Sequence, residues 1–178
     1  MDHGLEGRKI LEKEAWGLFP DDASRARILC STQYHSRKAE DLPIGLNGVD
    51  ESLLHLIRDA DKLDIIEELI KSAESPNDSM IRAMLPDIKP CLELTTGVIE
   101  AANRGETLHL KDLSSLSDVM VMVAAWLKEF NYSPARRIAA SRAFDKRLKS
   151  YLPSGQTTEN FFKSISKSLA HPGRAYKL

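Results

Sequence analysis

The amino-acid sequence predicts an all-α protein. Apolar residues recur at helical spacing along most of the 178 residues, strand-like alternation is nearly absent, and helix start and stop signals separate the periodic segments. A first helix is predicted at about 5–16, with Asp2 as its N-cap, and a second at about 23–35. Residues 36–48 contain Pro and Gly and are predicted to form a loop.

Six further helices are predicted after this loop, which brings the total to eight. They span about 51–73, 79–85, 92–104, 117–130, 133–151 and 158–169. The boundary signals are Ser75-Pro76 and Gly105 as stops, and Ser117-Asp118, Ser133-Pro134 and Thr158 as starts. Because no repeat and no linker interrupts the pattern, residues 1–178 are expected to form a single domain.

Composition excludes several classes of protein. With 42% hydrophobic and 29% charged residues, a wholly disordered chain is not expected. The longest apolar run, Val119 to Leu127, is far shorter than the roughly 20 residues of a membrane-spanning helix. Met1 to Lys13 is charged throughout and does not resemble a signal peptide, and Cys30 and Cys91 lack paired spacing. These features predict reduced, buried thiols in a cytoplasmic protein.

Charge is unevenly distributed. Asn131 to Leu178 contains ten Lys and Arg residues against two acidic ones, although the whole chain has a net charge of −1. This segment could face phosphates, including nucleic acid, or an acidic partner. The alternative is the solvated face of a helix, and the absence of interleaved aromatic residues favours it over nucleic-acid binding. The basic residues concerned are Arg136, Arg137, Arg142, Lys146, Arg147 and Lys149.

One carboxylate falls on an apolar stripe of the third helix. Asp61 lies four residues after Ile57 and four before Ile65, so the three share a helix face. The stripe also includes Leu53, Leu54, Ala60 and Leu69. A carboxylate there needs a hydrogen bond, a cation or an ion pair, for which Arg27 and Arg58 are candidates. Asp59 and Asp64 are predicted to lie to either side as surface acids.

Two histidines flank predicted helix ends. His3 lies at the start of the first helix and His35 at the end of the second, whereas His55, His109 and His171 show no such placement. The two could converge with Asp61 on a divalent metal, or be ordinary surface or core residues. Mixed His and carboxylate sites accept Mn, Fe, Co, Ni and Zn, so the sequence does not choose among them.

Three segments resemble the HD superfamily of metal-dependent phosphohydrolases. They are Asp2-His3-Gly4-Leu5-Glu6-Gly7, Tyr34-His35 and, most specifically, Ile57-Arg58-Asp59-Ala60-Asp61-Lys62-Leu63-Asp64. The resemblance implies an HD-like bundle of about seven or eight helices that binds divalent metal. It further implies hydrolysis of a phosphomonoester or phosphodiester in a phosphorylated small molecule or nucleotide, by a metal-activated water. It makes Asp61 a catalytic metal ligand and assigns His3 and His35 to the metal or phosphate.

The sequence departs from the HD pattern in one respect. It contains no adjacent His-Asp pair, so the chain is expected to be an N-terminally incomplete HD domain. The alternative function is a catalytically inactive helical module for protein–protein interaction or ligand sensing. The helix predicted at about 117–130 is apolar nearly all round and could then pack a homodimer through Met120, Val121, Met122, Val123 and Trp126. The same pattern is also typical of a central core helix.

Overall fold

Helices form nearly all of the regular structure. The fold is that of a computed structural model, which describes residues 3–37, 42, 48–75 and 85–171. Within these ranges there are eight α-helices and no β-strand, which confirms the all-α prediction. They are α1 (His3–Glu14), α2 (Asp22–Tyr34), α3 (Gly48–Glu74), α4 (Val98–Arg104), α5 (Leu116–Trp126), α6 (Ser133–Ser141), α7 (Phe144–Lys149) and α8 (Gln156–Ala170). Among the described helices, none combines the length and apolarity needed to cross a bilayer.

Internal contacts divide the chain into two compact units. The first is Met1–Asp61 and the second is Lys62–Leu178, with the boundary inside α3. The first contains α1, α2 and the start of α3, and the second contains the end of α3 and the five remaining helices. The single domain expected from the sequence stays a prediction.

In the first unit, α1 and α2 pack as a pair. A 3₁₀ turn at Trp16–Leu18 joins them, and Asp21 caps α2 by accepting from the Ser24 amide at 2.6 Å. The Arg8 guanidinium, on α1, donates to the Gln33 side chain, on α2. The predicted end of the first helix, at about residue 16, is too late because the helix gives way to the 3₁₀ turn before Pro20. The predicted cap Asp2 lies outside the described residues.

The second unit has a core built around α5. Met120, Val121 and Ala124 of this helix are fully buried, while Met122 and Trp126 are partly buried against the same core. The apolar run of the sequence is therefore a central core helix, and a homodimer stays a prediction. Large side chains from the helices around it complete the core: Ile66, Ile70, Ile99, Phe130, Phe144, Leu148, Phe161 and Ile165.

Several predicted boundaries in the second unit are wrong. The helix expected at 92–104 begins only at Val98, after Gly97 adopts a left-handed φ of 88°. The helix expected at 117–130 is α5, which begins at Leu116 behind a Ser115 cap and ends at Trp126. The helix expected at 79–85 lies outside the described residues except for Leu85, which is not helical.

The helix expected at 133–151 is interrupted. Ala143 adopts a left-handed φ of 52°, so α6 ends at Ser141 and α7 begins at Phe144. Ser133 is the first residue of α6 and makes no cap, since the N-cap residue is Tyr132. The last helix begins before Thr158, whose hydroxyl donates to the Pro153 carbonyl instead of capping the helix.

Most of the basic residues singled out in the sequence have partners within the second unit. Arg142 and Arg147 pair with Glu67, and Arg147 also pairs with Glu74 at 3.0 Å. Lys149 pairs with Glu159, and Arg136 donates to the carbonyls of Phe130 and Ser168. Four of the six basic residues therefore make contacts inside the second unit. This favours the interpretation that the basic residues are structural over the interpretation that they face phosphates or an acidic partner.

Candidate metal centre

The first unit brings together the three residues that the sequence singled out as metal ligands. His3 is the first described residue of α1, His35 follows the last residue of α2, and Asp61 lies within α3. One potential ligand atom from each of them falls within 4.8 Å of the others. Among the described residues this is the one group of three or more His, Cys, Asp and Glu side chains that could hold a metal.

The two imidazole rings meet through the same ring nitrogen. Nε2 of His3 lies 3.1 Å from Nε2 of His35, and the rings cross at 71°. At this distance either one nitrogen donates to the other or both lone pairs face a common cation.

The backbone of α2 determines which tautomer His35 adopts. Its Nδ1 lies 2.7 Å from the carbonyl oxygen of Thr32. Because a carbonyl only accepts, Nδ1 carries the proton, and a neutral His35 presents its lone pair at Nε2, toward His3. Metal-ligating histidines are typically oriented in this way, with the second ring nitrogen donating to a carbonyl or carboxylate.

Asp61 completes the group from α3. Its Oδ1 lies 3.9 Å from His35 Nε2, which is too long for a hydrogen bond but suits two ligands around one ion. The Asp61 side chain is 36% exposed and that of His35 is 9% exposed, whereas His3 is exposed. The centre therefore opens to solvent on one side while His35 is held inside.

The spacing of the two histidine nitrogens is close to that of two ligands on a small divalent cation. Two ligands of a tetrahedral zinc ion, each about 2.0–2.1 Å from the metal, lie about 3.3–3.4 Å apart. The 3.1 Å between the two Nε2 atoms is within a few tenths of this value. The 3.9 Å from His35 to Asp61 has to close by about 0.5 Å, and the group as a whole, whose atoms lie within 4.8 Å of one another, has to contract around an ion. Two imidazoles and a carboxylate are also the donor set that transition metals such as Zn, Mn, Fe and Co accept.

Arg58 ties the end of α2 to α3. Its Nε donates to the carbonyl of His35 at 2.9 Å, and its Nη2 donates to the carbonyl of Arg37. Arg58 precedes Asp61 by about one turn of α3, so the two side chains lie on the same side of the helix. Arg58 binds the backbone carbonyl of His35, and Asp61 approaches the His35 ring. Burial lowers the pKa of Arg58, but a guanidinium stays charged at any physiological pH.

The environment of Asp61 differs from the sequence prediction in two ways. Asp59, predicted to be a surface acid, is the buried carboxylate of this region at 2% exposure, while Ala60 of the predicted stripe is exposed. The reason is that the buried face of α3 is rotated from the predicted one. Asp59, Ile66 and Ile70 are buried, whereas Ile57, Asp61 and Ile65 of the predicted stripe are only partly so. The candidate partners of Asp61 are bound elsewhere, Arg27 to Ser24 and Arg58 to the backbone of 35–37.

Two contributors to the centre were missed by sequence reasoning. Thr32 orients His35 through its backbone carbonyl, which carries no residue signature. The sequence predicts Arg58 only as an ion-pair partner, whereas in the structure it donates to backbone carbonyls.

The two cysteines, predicted to be buried, are both only partly buried.

No protein-family model matches the sequence, and comparison with curated proteins and with solved structures finds no match either. The resemblance to the HD superfamily therefore depends on the three segments of the sequence named above.

Proposed function

We propose that this chain is a metal-dependent phosphohydrolase of the HD type that acts on a phosphorylated small molecule or nucleotide in the cytoplasm. The observation that carries the proposal is the convergence of His3, His35 and Asp61 from three helices. The HD resemblance of the segments that contain these residues supports it independently, since the segments are far apart in sequence.

The three side chains would hold one divalent ion of Mn, Fe, Co, Ni or Zn. A bound ion of this kind supplies a Lewis acid for the hydrolysis of a phosphate ester. The chain's own contribution is orientation: the Thr32 carbonyl fixes the proton of His35 on Nδ1, and Arg58 holds the end of α2 against α3. The exposure of His3 and the partial exposure of Asp61 leave room for a phosphoryl group on the solvent side.

The proposal is tested by metal content and hydrolysis in matched variants. The purified chain is loaded with Zn, Mn or Co, dialysed, and assayed for bound metal and for cleavage of 4-nitrophenyl phosphate, bis(4-nitrophenyl) phosphate and nucleoside monophosphates. Asp61→Asn removes the charged ligand, and Asp64→Asn, at an exposed position on the same helix, is the control. We expect close to one ion per chain, with affinity and turnover both falling at least about tenfold in Asp61→Asn alone.

Two results would contradict the proposal. One is a chain that retains no metal. The other is equal metal content and equal turnover in the two variants, which would remove Asp61 from the centre. Loss of turnover in both variants with metal retained would point to a general effect on α3 instead.

A second candidate function is a non-catalytic helical module that binds a protein partner. It is favoured by large apolar side chains exposed in the first unit: Trp16 at 58%, Leu18 at 82% and Ile10 at 55%. Metal binding without hydrolysis of any phosphate ester would favour this function over the enzymatic one.

A further inference from the structure

We infer that Gly4 is a positioning residue for the two histidines. Its missing side chain lets the first turn of α1 lie directly on the backbone at the end of α2, and this contact sets the separation of His3 from His35. The inference rests on the proposed metal centre, and it assigns a role to a residue that contacts no ligand itself.

The contact at Gly4 leaves no room for a side chain. Gly4 is buried, and a Cβ added to it would lie 2.5 Å from the carbonyl oxygen of Gln33. It would also lie 3.1 Å from the carbonyl carbon of Gln33 and from the carbonyl oxygen of Thr32. These are backbone atoms of a helix, so no change of rotamer relieves the clash, and α1 has to move away from α2.

The same contact is coupled to the geometry of the centre. His3 directly precedes Gly4, so any movement of this turn moves the His3 ring. The Thr32 carbonyl that faces Gly4 is also the acceptor of the His35 Nδ1–H at 2.7 Å. Metal–ligand distances tolerate changes of only about 0.2 Å. Relief of the 2.5 Å contact to an ordinary separation of about 3.4 Å moves α1 away by about 0.9 Å. The two Nε2 atoms, now 3.1 Å apart, would then lie about 4 Å apart, beyond the separation of about 3.3–3.4 Å that one ion spans.

Gly7 supplies a matched control on the same helix and the same interface. A Cβ there would lie 3.3 Å from Cγ2 of Thr32, a side-chain methyl that can yield by a few tenths of an ångström. Intrinsic helix propensity favours alanine over glycine at both positions. Propensity alone therefore predicts no loss of metal affinity in either Gly4→Ala or Gly7→Ala, whereas the backbone contact predicts a loss in Gly4→Ala only.

The experiment measures Zn²⁺ affinity by competition with a chromophoric chelator, in the full chain and in both variants. Circular dichroism in EDTA and in saturating Zn²⁺ reports the helix content of each. We expect Gly4→Ala to lose about 10- to 100-fold in affinity with its helical signal retained, and Gly7→Ala to stay within about threefold of the wild type. In a His3→Ala background the further effect of Gly4→Ala should be smaller, since one of the two histidines that Gly4 positions is gone.

Three results overturn the inference: unchanged affinity in Gly4→Ala, equal losses in both glycine variants, or a Gly4→Ala chain that lacks helical signal even in saturating Zn²⁺. The last result would mean that Gly4 is needed for folding and not specifically for the metal centre. Failure of the wild type to bind Zn²⁺, Mn²⁺ or Co²⁺ overturns the proposed function as well. If the wild type binds metal and Gly4→Ala binds it equally well, only the inference about Gly4 is overturned.

Discussion

Asp118, at the start of α5, is a buried carboxylate of the second unit. It is fully buried and accepts four hydrogen bonds. Its Oδ1 accepts from the Thr95 amide at 2.8 Å, and its Oδ2 accepts from the Thr95 hydroxyl and the amides of Ser114 and Ser115 at 2.7, 3.0 and 3.2 Å. This side chain therefore joins the segment before α4 to the start of α5.

The perturbation is Asp118→Asn, which keeps the shape and removes the charge. An amide has one oxygen, so whichever way it is turned, at least one backbone N–H that now donates to the carboxylate faces an NH₂ group. An unsatisfied buried donor costs about 1–3 kcal/mol, and the remaining bonds lose their charge assistance. Together these effects predict that the free energy of unfolding falls by about 2–4 kcal/mol.

The assay is urea unfolding followed by the fluorescence of Trp126, in a Trp16→Phe background so that the signal reports the second unit. The midpoint should fall with little change in the denaturant slope. Asp112→Asn, at an exposed position in the 3₁₀ turn before α5, is the control and should stay within about 0.5 kcal/mol of the parent.

The effect of Asp118 also predicts a pH dependence. Burial alone would raise the pKa of its carboxyl, but donation from Thr95, Ser114 and Ser115 outweighs this and holds the pKa below its usual value. The stabilisation is therefore fully present above the unfolded-state pKa of about 3.9 and is lost as the pH falls through the folded-state value. A destabilisation by Asp118→Asn that is below about 1 kcal/mol at pH 7, or that does not shrink below about pH 4, would show that these hydrogen bonds do not stabilise the second unit.

Three further substitutions are predicted, each measured by the same unfolding assay. Arg136→Lys keeps the charge, but a single ammonium cannot reach both the Phe130 and the Ser168 carbonyls, so the free energy of unfolding should fall by about 1–3 kcal/mol. An unchanged free energy would mean that water replaces these hydrogen bonds. Ser115→Ala removes half of the capping box of α5 and should lower the free energy of unfolding by about 1 kcal/mol. Unchanged stability would contradict this role for the Ser115 hydroxyl. Ala143→Gly places glycine in a left-handed conformation that disfavours alanine, so the free energy of unfolding should rise by up to about 1 kcal/mol. A fall in the free energy of unfolding would show that Ala143 is not strained.

The sequence predicts best those elements whose burial follows from composition alone. The run from Val119 to Leu127 can only be stable inside a core, and it forms the centre of one. Helix ends were harder to predict because they depend on backbone conformation. Gly97 and Ala143 both adopt positive φ, yet only glycine signals this in a sequence, so the break at Ala143 was missed.

The candidate metal centre shows the same contrast. All three of its side chains could be named from the sequence, because two histidines at helix ends and one carboxylate belong to segments that resemble a known family. What the sequence could not supply is which face of α3 is buried: Asp59 and Asp61 are two residues apart, and only tertiary packing decides between them. Contacts to backbone carbonyls, such as those of Arg58, depend on the path of another helix and have no sequence signal.

The most direct test of the central claim is X-ray absorption spectroscopy of the Zn²⁺-loaded chain and of its His35→Ala variant. We predict a first shell of nitrogen and oxygen donors at about 2.0–2.1 Å that includes two imidazoles, with one imidazole lost in the variant. A shell containing sulfur, at about 2.3 Å, would place the ion on Cys30 or Cys91 instead. A spectrum unchanged by His35→Ala would contradict the assignment of His3, His35 and Asp61 as the metal centre.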